Sequence, residues 1–164
     1  FDKASNLTER FAAYRIARSD GSNGLSERLS CDFLAEADTD EVLDLWLSTE
    51  ATNESTATIT RLHELMSHER FSWTNPNRVR AVLGAFANRN VRAFHTQEGY
   101  RLLADAVLKL DAMNPQIASR LVMPLCQWAR FTEQYQAIMK AELRRMAAKN
   151  LSKDLNEIIG KSVD

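Results

Sequence analysis

A chain of 164 residues with 45% hydrophobic and 26% charged side chains has the size and composition of one soluble domain with a core of its own. Its net charge of −1 excludes the global basic field that drives binding to nucleic acid or to an acidic membrane surface. Five glycines and three prolines leave few turn-makers for a many-stranded sheet, and no apolar run approaches the ~20 residues that span a bilayer, so an all-α domain over residues 1–164 is expected.

In chain order, Asn6 or Ser5 caps a first helix over LTERFAAYRIARS, with Leu7, Phe11, Tyr14 and Ala17 on one face. Asp20 to Gly24 is a breaker. A second helix from about Leu25 to Ala35 sets Leu25, Leu29, Asp32 and Phe33 along one side. Thr39 opens a third, whose apolar set is Val42, Leu43, Leu45, Trp46 and Leu47. The stretch from Asn53 to Thr60 is polar and rich in Thr, yet Ile59, Leu62, Leu65 and Met66 keep the helical period, so a helix with a frayed start is expected there.

Two copies of one device follow. Asn75-Pro76-Asn77 and Asn114-Pro115-Gln116 each open a helix, because Asn accepts an unpaired backbone N–H and Pro lacks the N–H that would go unpaired at the next position. Val79, Val82, Leu83 and Phe86 recur at helical spacing after the first; Ile117, Leu121, Val122, Leu125 and Trp128 do so after the second, and each copy reads as one amphipathic helix. The caps lie 39 residues apart (114 minus 75), a spacing that suggests stacked helical hairpins. Between them come a turn and a short helical connection over NRNVRAFHTQEGY and a helix from Gly99 to Leu110. Thr132 caps a helix carrying Tyr135, Ile138, Met139 and Leu143, which Asn150 ends, and Ser152 opens a last one through Leu155, Ile158 and Ile159 to Gly160.

Little of this carries chemistry. In His63-Glu64-Leu65-Met66-Ser67-His68 the second His stands at i+5, so on a regular helix the two imidazoles point about 140° apart and do not chelate one ion as an H-E-x-x-H pair does. The five glycines are dispersed and form no phosphate loop. Cys31 and Cys126 sit in apolar helical patterns and are expected as buried, reduced thiols, which fits a reducing compartment. The remaining signal is electrostatic. From Pro76 to Gln97, Arg78, Arg80, Arg89 and Arg92 occur with no Asp or Glu among them. Arg80 and Arg120, each soon after an Asn-Pro start, would jointly receive an anionic group such as a peptide carboxylate, because Arg binds carboxylates with a two-pronged fork. That these arginines are solvated, or paired with acidic residues of neighbouring helices, is the plainer expectation.

The run NPNRVRAVLGAFANRNVRAFH, followed by an acidic-Gly-Tyr segment, LDAMNPQIASRLVMPL and a closing LSKDLNEIIGKS, resembles the C-terminal helical domain of bacterial aminopeptidase N, a zinc metallopeptidase family. Before Phe71 the likeness is looser, resting on NLTERFAA and the Trp46 helix. The sequence departs from the family in reading TQEG between His95 and Tyr100, where an acidic-Gly-Ser-Gly connection is usual.

That resemblance implies a right-handed superhelix of antiparallel helix pairs, HEAT-like, which packs against the catalytic and N-terminal domains of a cytoplasmic enzyme and closes its active-site cavity. It implies that Arg80, Gln116 and Arg120 face the peptide substrate. The family holds its zinc with H-E-x-x-H and a downstream Glu and the substrate amino group with a G-x-M-E-N loop. Neither motif is in this sequence. The chain, which begins at Phe1 with no Met, is therefore expected to be a piece of a longer enzyme, without a zinc site of its own, inactive alone and prone to self-associate. A competing reading is a free-standing helical-repeat module that binds a protein or acidic peptide through its Arg78 to Arg101 face.

Overall fold

The computed structural model describes residues 6–20 and 23–163, and every regular element among them is helical. The alternative cap at Ser5 and part of the breaker between Asp20 and Gly24 lie outside the described residues. The first half consists of α1 (Leu7–Asp20), α2 (Asn23–Ala35), α3 (Asp40–Thr52) and α4 (Thr58–Ser67). Asn6 Oδ1 accepts the Glu9 amide at 2.9 Å, and Thr39 Oγ1 accepts that of Val42. At α4 the polar lead-in from Asn53 stays outside the helix, where Thr58 Oγ1 donates back to the Ser55 carbonyl at 2.7 Å.

Two expectations for this half are corrected. Leu25 is 52% exposed, and the face of α2 that enters the core is Ser26, Leu29, Ser30 and Phe33. Cys31 is exposed for the same reason: it stands about 200° around the helix from Leu29. Two serines take core positions because they have partners there. Ser30 Oγ donates to Glu50 and accepts from Trp46 Nε1, both at 2.9 Å, and Ser26 Oγ accepts from Arg18. At the centre of this network Glu50, 1% exposed, takes four donors: Tyr14 and Ser30 on Oε1, Arg18 and Arg61 on Oε2. One carboxylate thus ties α1, α2 and α4 to α3.

The second half runs through α5 (Pro76–Val79), a π-helical turn (Arg80–Gly84), α6 (Ala85–Arg89), α7 (Val91–Phe94) and α8 (Gln97–Asp111). It continues with α9 (Pro115–Leu121), α10 (Met123–Cys126), α11 (Glu133–Ala147) and α12 (Lys153–Val163). The second Asn-Pro segment is not the one helix expected. Pro124 has no N–H for the carbonyl four residues back and its ring crowds that turn, so α9 stops at Leu121 and the chain resumes as α10 and a 3₁₀ turn at Trp128–Arg130. Helix α3 packs on α4 and on the α5 to α6 run, α8 lies against α9 and α11, and α12 against α9 and α11. The buried apolar residues form one cluster from Tyr14 to Ile159. Buried Asn90 joins the halves, its Nδ2 donating to the Ala51 carbonyl at 3.2 Å, and buried Asp111 receives both the amide and the hydroxyl of Ser152 at the start of α12.

His95 ends α7 among Phe94, Tyr100, Phe131 and Tyr135, with Nδ1 2.8 Å from the Tyr100 hydroxyl. Burial holds its imidazole below the usual histidine range, and burial likewise pushes the Tyr100 phenol up to about 12. A histidine with a depressed folded pKa stabilises the fold above its unfolded value of ~6.5, and that contribution is lost as pH falls from there through the folded value. Thermal melts should therefore show the melting temperature dropping as pH goes from about 6.5 towards 5.5, and His95→Gln should flatten that slope. An unchanged slope would place the titration elsewhere.

Candidate functional site

The two Asn-Pro devices do what their chemistry requires. Asn75 Oδ1 accepts the Asn77 amide at 2.9 Å and Asn114 Oδ1 accepts the Ile117 amide at 3.3 Å, so both helix starts are fixed. These helices meet. Val79 and Arg80 from the first, with Ile117, Arg120 and Leu121 from the second, line one cleft of about 230 Å³. Its walls are aliphatic and its charges are the two guanidiniums.

Arg80 opens the π-helical turn, in which the Ala85 amide donates to the Arg80 carbonyl five residues back. Such turns widen a helix and recur at functional sites. Asn77, one turn earlier, accepts Arg80 Nη2 at 2.5 Å, and Gly84, one turn later, lies beside the Arg80 stem, where an added Cβ would stand 3.4 Å from Cγ. Arg80 is thus held by an amide below and a missing side chain above. Neither Arg80 nor Arg120 has a carboxylate partner among the described residues, and both are exposed. Gln116 is exposed in the first turn of α9, one turn before Arg120 and on the same helix face, but it is not among the residues lining the cleft.

The rest of the arginine run stays outside this cleft. Arg78, 4% exposed, is a buried structural cation whose guanidinium pairs with Asp40 and Asp44 at 2.5 Å and donates to the Asp40 carbonyl, fastening α5 to the start of α3. Arg92 reaches Glu54 at 3.4 Å. The Arg78 to Arg101 face expected of a free-standing module is therefore not one continuous cationic surface. His63 is exposed on α4, whereas His68 ends that helix, lies tilted against the Trp46 ring at 5.5 Å between centroids and accepts the Arg70 amide on Nδ1. Among the described residues no group of three or more His, Cys, Asp or Glu is placed for a metal ion. Cys126 is half-buried and its thiol is pushed up by burial. Sequence reasoning passed over Gly84; its signal was the i+4 spacing from Arg80.

Residues 1–164, the whole chain, match the family described as "Domain of unknown function (DUF3458_C) ARM repeats". The chain belongs to this family. As an ARM-repeat domain it has the superhelix of helix pairs expected from the sequence. Its curated relatives include aminopeptidase N of Haemophilus influenzae, 38% identical over 173 residues covering 99% of this chain and 19% of the relative. Aminopeptidase N of Escherichia coli is 34% identical with the same coverage, and that of Caulobacter vibrioides is 41% identical over 74% of the chain and 14% of the relative. Among solved structures, Legionella pneumophila aminopeptidase A in complex with aspartic acid superimposes with a TM-score of 0.91 at 31% identity, over 98% of this chain and 19% of that one. The likeness to the C-terminal helical domain of bacterial aminopeptidase N is thereby shown, and this ARM-repeat chain spans about a fifth of the length of the relatives it matches. Among the described residues no helix is long and apolar enough to cross a membrane.

Proposed function

We propose that this chain is the C-terminal domain of a cytoplasmic, zinc-dependent aminopeptidase that removes residues from peptide N-termini. In this reading residues 1–164 are one domain that packs against the catalytic and N-terminal domains and closes the cavity holding the active site. Zinc belongs to the catalytic domain, and no step of the chemistry passes through the residues described here. Leu7, Ile16 and Leu25, all at least 45% exposed on α1 and α2, are apolar positions that neighbouring domains, or a second copy of the isolated chain, would cover.

The observation that carries the reading is the cleft shared by Arg80 and Arg120. Two guanidiniums without carboxylate partners, on helices with fixed starts and beside aliphatic walls, suit an extended peptide. The forks take its carbonyls or terminal carboxylate and the walls take its side chains. Gln116, a turn from Arg120, adds an amide that both donates and accepts. Their role is positioning and charge complementarity, with no proton transfer.

Arg120→Ala in the full-length enzyme should lower kcat/KM for peptides about tenfold or more, since a hydrogen bond to a charged group is worth ~1.5–3 kcal/mol. Small amide substrates with little on the leaving side should lose far less. Equal losses for both would rule out a role in reading the peptide.

A further inference from the structure

Away from that cleft, the two halves of the chain bring together arginines that the aminopeptidase reading does not use. Arg15 and Arg18 of α1, Arg89 at the end of α6 and Arg92 in α7 line a second cleft, of about 510 Å³, beside the end of α3. It shares no lining residue with the Arg80 and Arg120 cleft. Glu54 is its one carboxylate, and that residue is already drawn to Arg92. Arg15 and Arg89 have no carboxylate partner among the described residues; Arg15 lies over the Phe11 ring at 5.6 Å. Arg18, 7% exposed, spends Nη1 and Nη2 on Ser26, Glu27 and Glu50, but its buried Nε has no hydrogen-bond partner.

Helix C-termini attract cations, which accounts for Arg18 in the last turn of α1 and Arg89 in that of α6. It does not account for Arg15, a turn earlier, being brought to the same cleft. The hydroxyls there are committed: Ser19, Thr49 and Thr52 each donate to a carbonyl of their own helix. The free side-chain donors offered to a ligand are therefore mostly guanidinium N–H groups, which suit an anion better than a neutral polyol.

We propose that this cleft binds a multivalent oxyanion, a phosphate group or a dicarboxylate, held between the forks of Arg15 and Arg89 with Arg92 beside them. The volume admits a small organic phosphate or diacid. The inference does not depend on the peptide reading of the other cleft.

The test is calorimetric titration of inorganic phosphate, and separately of succinate, into the full-length protein that carries this chain. Ionic strength is held constant with chloride, and wild type is compared with the Arg15→Gln/Arg89→Gln variant. Saturable binding that weakens about tenfold or more in the double variant is expected, since each lost charge-assisted contact is worth a factor of ten or so. Both residues are exposed, so circular dichroism should show an unchanged fold; the single Arg89→Gln variant gives the same reading if the double variant does not fold. Binding of phosphate alone identifies a phosphate ligand, and binding of succinate alone a carboxylate; either supports the site. The proposal is overturned if neither anion binds beyond chloride, or if the variants bind as wild type does.

Discussion

Glu50→Ala should lower the unfolding free energy by about 3–5 kcal/mol, the cost of removing one member of a buried ion pair. Its carboxylate is 1% exposed and accepts Tyr14 Oη at 2.5 Å, Ser30 Oγ at 2.9 Å, Arg18 Nη2 at 2.7 Å and Arg61 Nε at 2.9 Å. Truncation leaves the Arg18 guanidinium, 7% exposed, with only Ser26 and Glu27, and strands the Tyr14 and Ser30 hydroxyls beside a new cavity. The Tyr14 phenol is held protonated first by burial, which does not depend on the Glu50 charge, so it supplies no compensating negative charge. Because four helices converge on this carboxylate, the loss falls on the packing of the whole first half rather than on one contact. Tyr14→Phe, which removes one donor and keeps the ring stacked on Phe33, should cost only about 1 kcal/mol. Urea unfolding reads both, as a lower midpoint at unchanged slope. A Glu50→Ala cost no larger than that of Tyr14→Phe would mean that water enters and solvates Arg18, and that the network is incidental to stability.

Nothing in the linear sequence announced Glu50. It falls in α3 among Ser48, Thr49, Ala51 and Thr52, where an acidic residue reads as solvated, and its burial depends on donors 36, 32 and 11 residues away. The same blindness to distant partners left open whether Arg78 stood in a positive patch or paired with acidic residues, which Asp40 and Asp44 decide, and put Leu25 in the core when Ser26 and Ser30 had claims on that face. What the sequence did make legible was local. The Asn-Pro starts, the Thr39 and Ser152 caps and the apolar periods of α3, α8 and α12 each depend on residues within two turns, and each is present. Pro124 was equally local and should have divided the second Asn-Pro helix, since a proline ten residues after a helix start costs ~3 kcal/mol in an interior turn. The π turn at Arg80–Gly84 lies between these cases. The glycine was visible, but the helices the turn packs against, α3, α4 and α9, are distant in sequence or follow it and were not. The pairing of Arg80 with Arg120 in one cleft was legible from the repeated device; the separation of Gln116 from that cleft was not.

Gly99→Ala should destabilise the chain by about 3 kcal/mol, whereas Gly160→Ala should stabilise it by about 0.5–1 kcal/mol, although both are single helix glycines given one methyl group. The usual expectation is the second: alanine restricts the unfolded chain and favours helix, and at Gly160 in α12 an added Cβ meets nothing within 4 Å. At Gly99 the same Cβ would stand 2.2 Å from the Ala93 carbonyl oxygen, 2.6 Å from that of Phe94 and 2.9 Å from Phe94 Cα. These are backbone atoms, and they are held. Thr96 donates its amide to the Phe94 carbonyl at 2.8 Å and its hydroxyl to that of Ala93 at 2.8 Å, while its Oγ1 accepts the Gly99 amide at 3.0 Å. The corner between α7 and α8 is therefore closed by hydrogen bonds on both sides of the space a methyl would need. Relief requires the start of α8 to move away, which withdraws Tyr100 from Phe94, 5.2 Å between ring centroids, and from His95. This accounts physically for a glycine in the TQEG connection, and it ties the corner to the burial that depresses the His95 pKa. The two losses should appear together: Gly99→Ala should lower the urea midpoint and return the His95 titration, followed by proton NMR, towards the usual histidine range. Loss of stability with the His95 titration unmoved would locate the strain within α8 itself, and the coupling of the corner to the aromatic cluster would then be wrong.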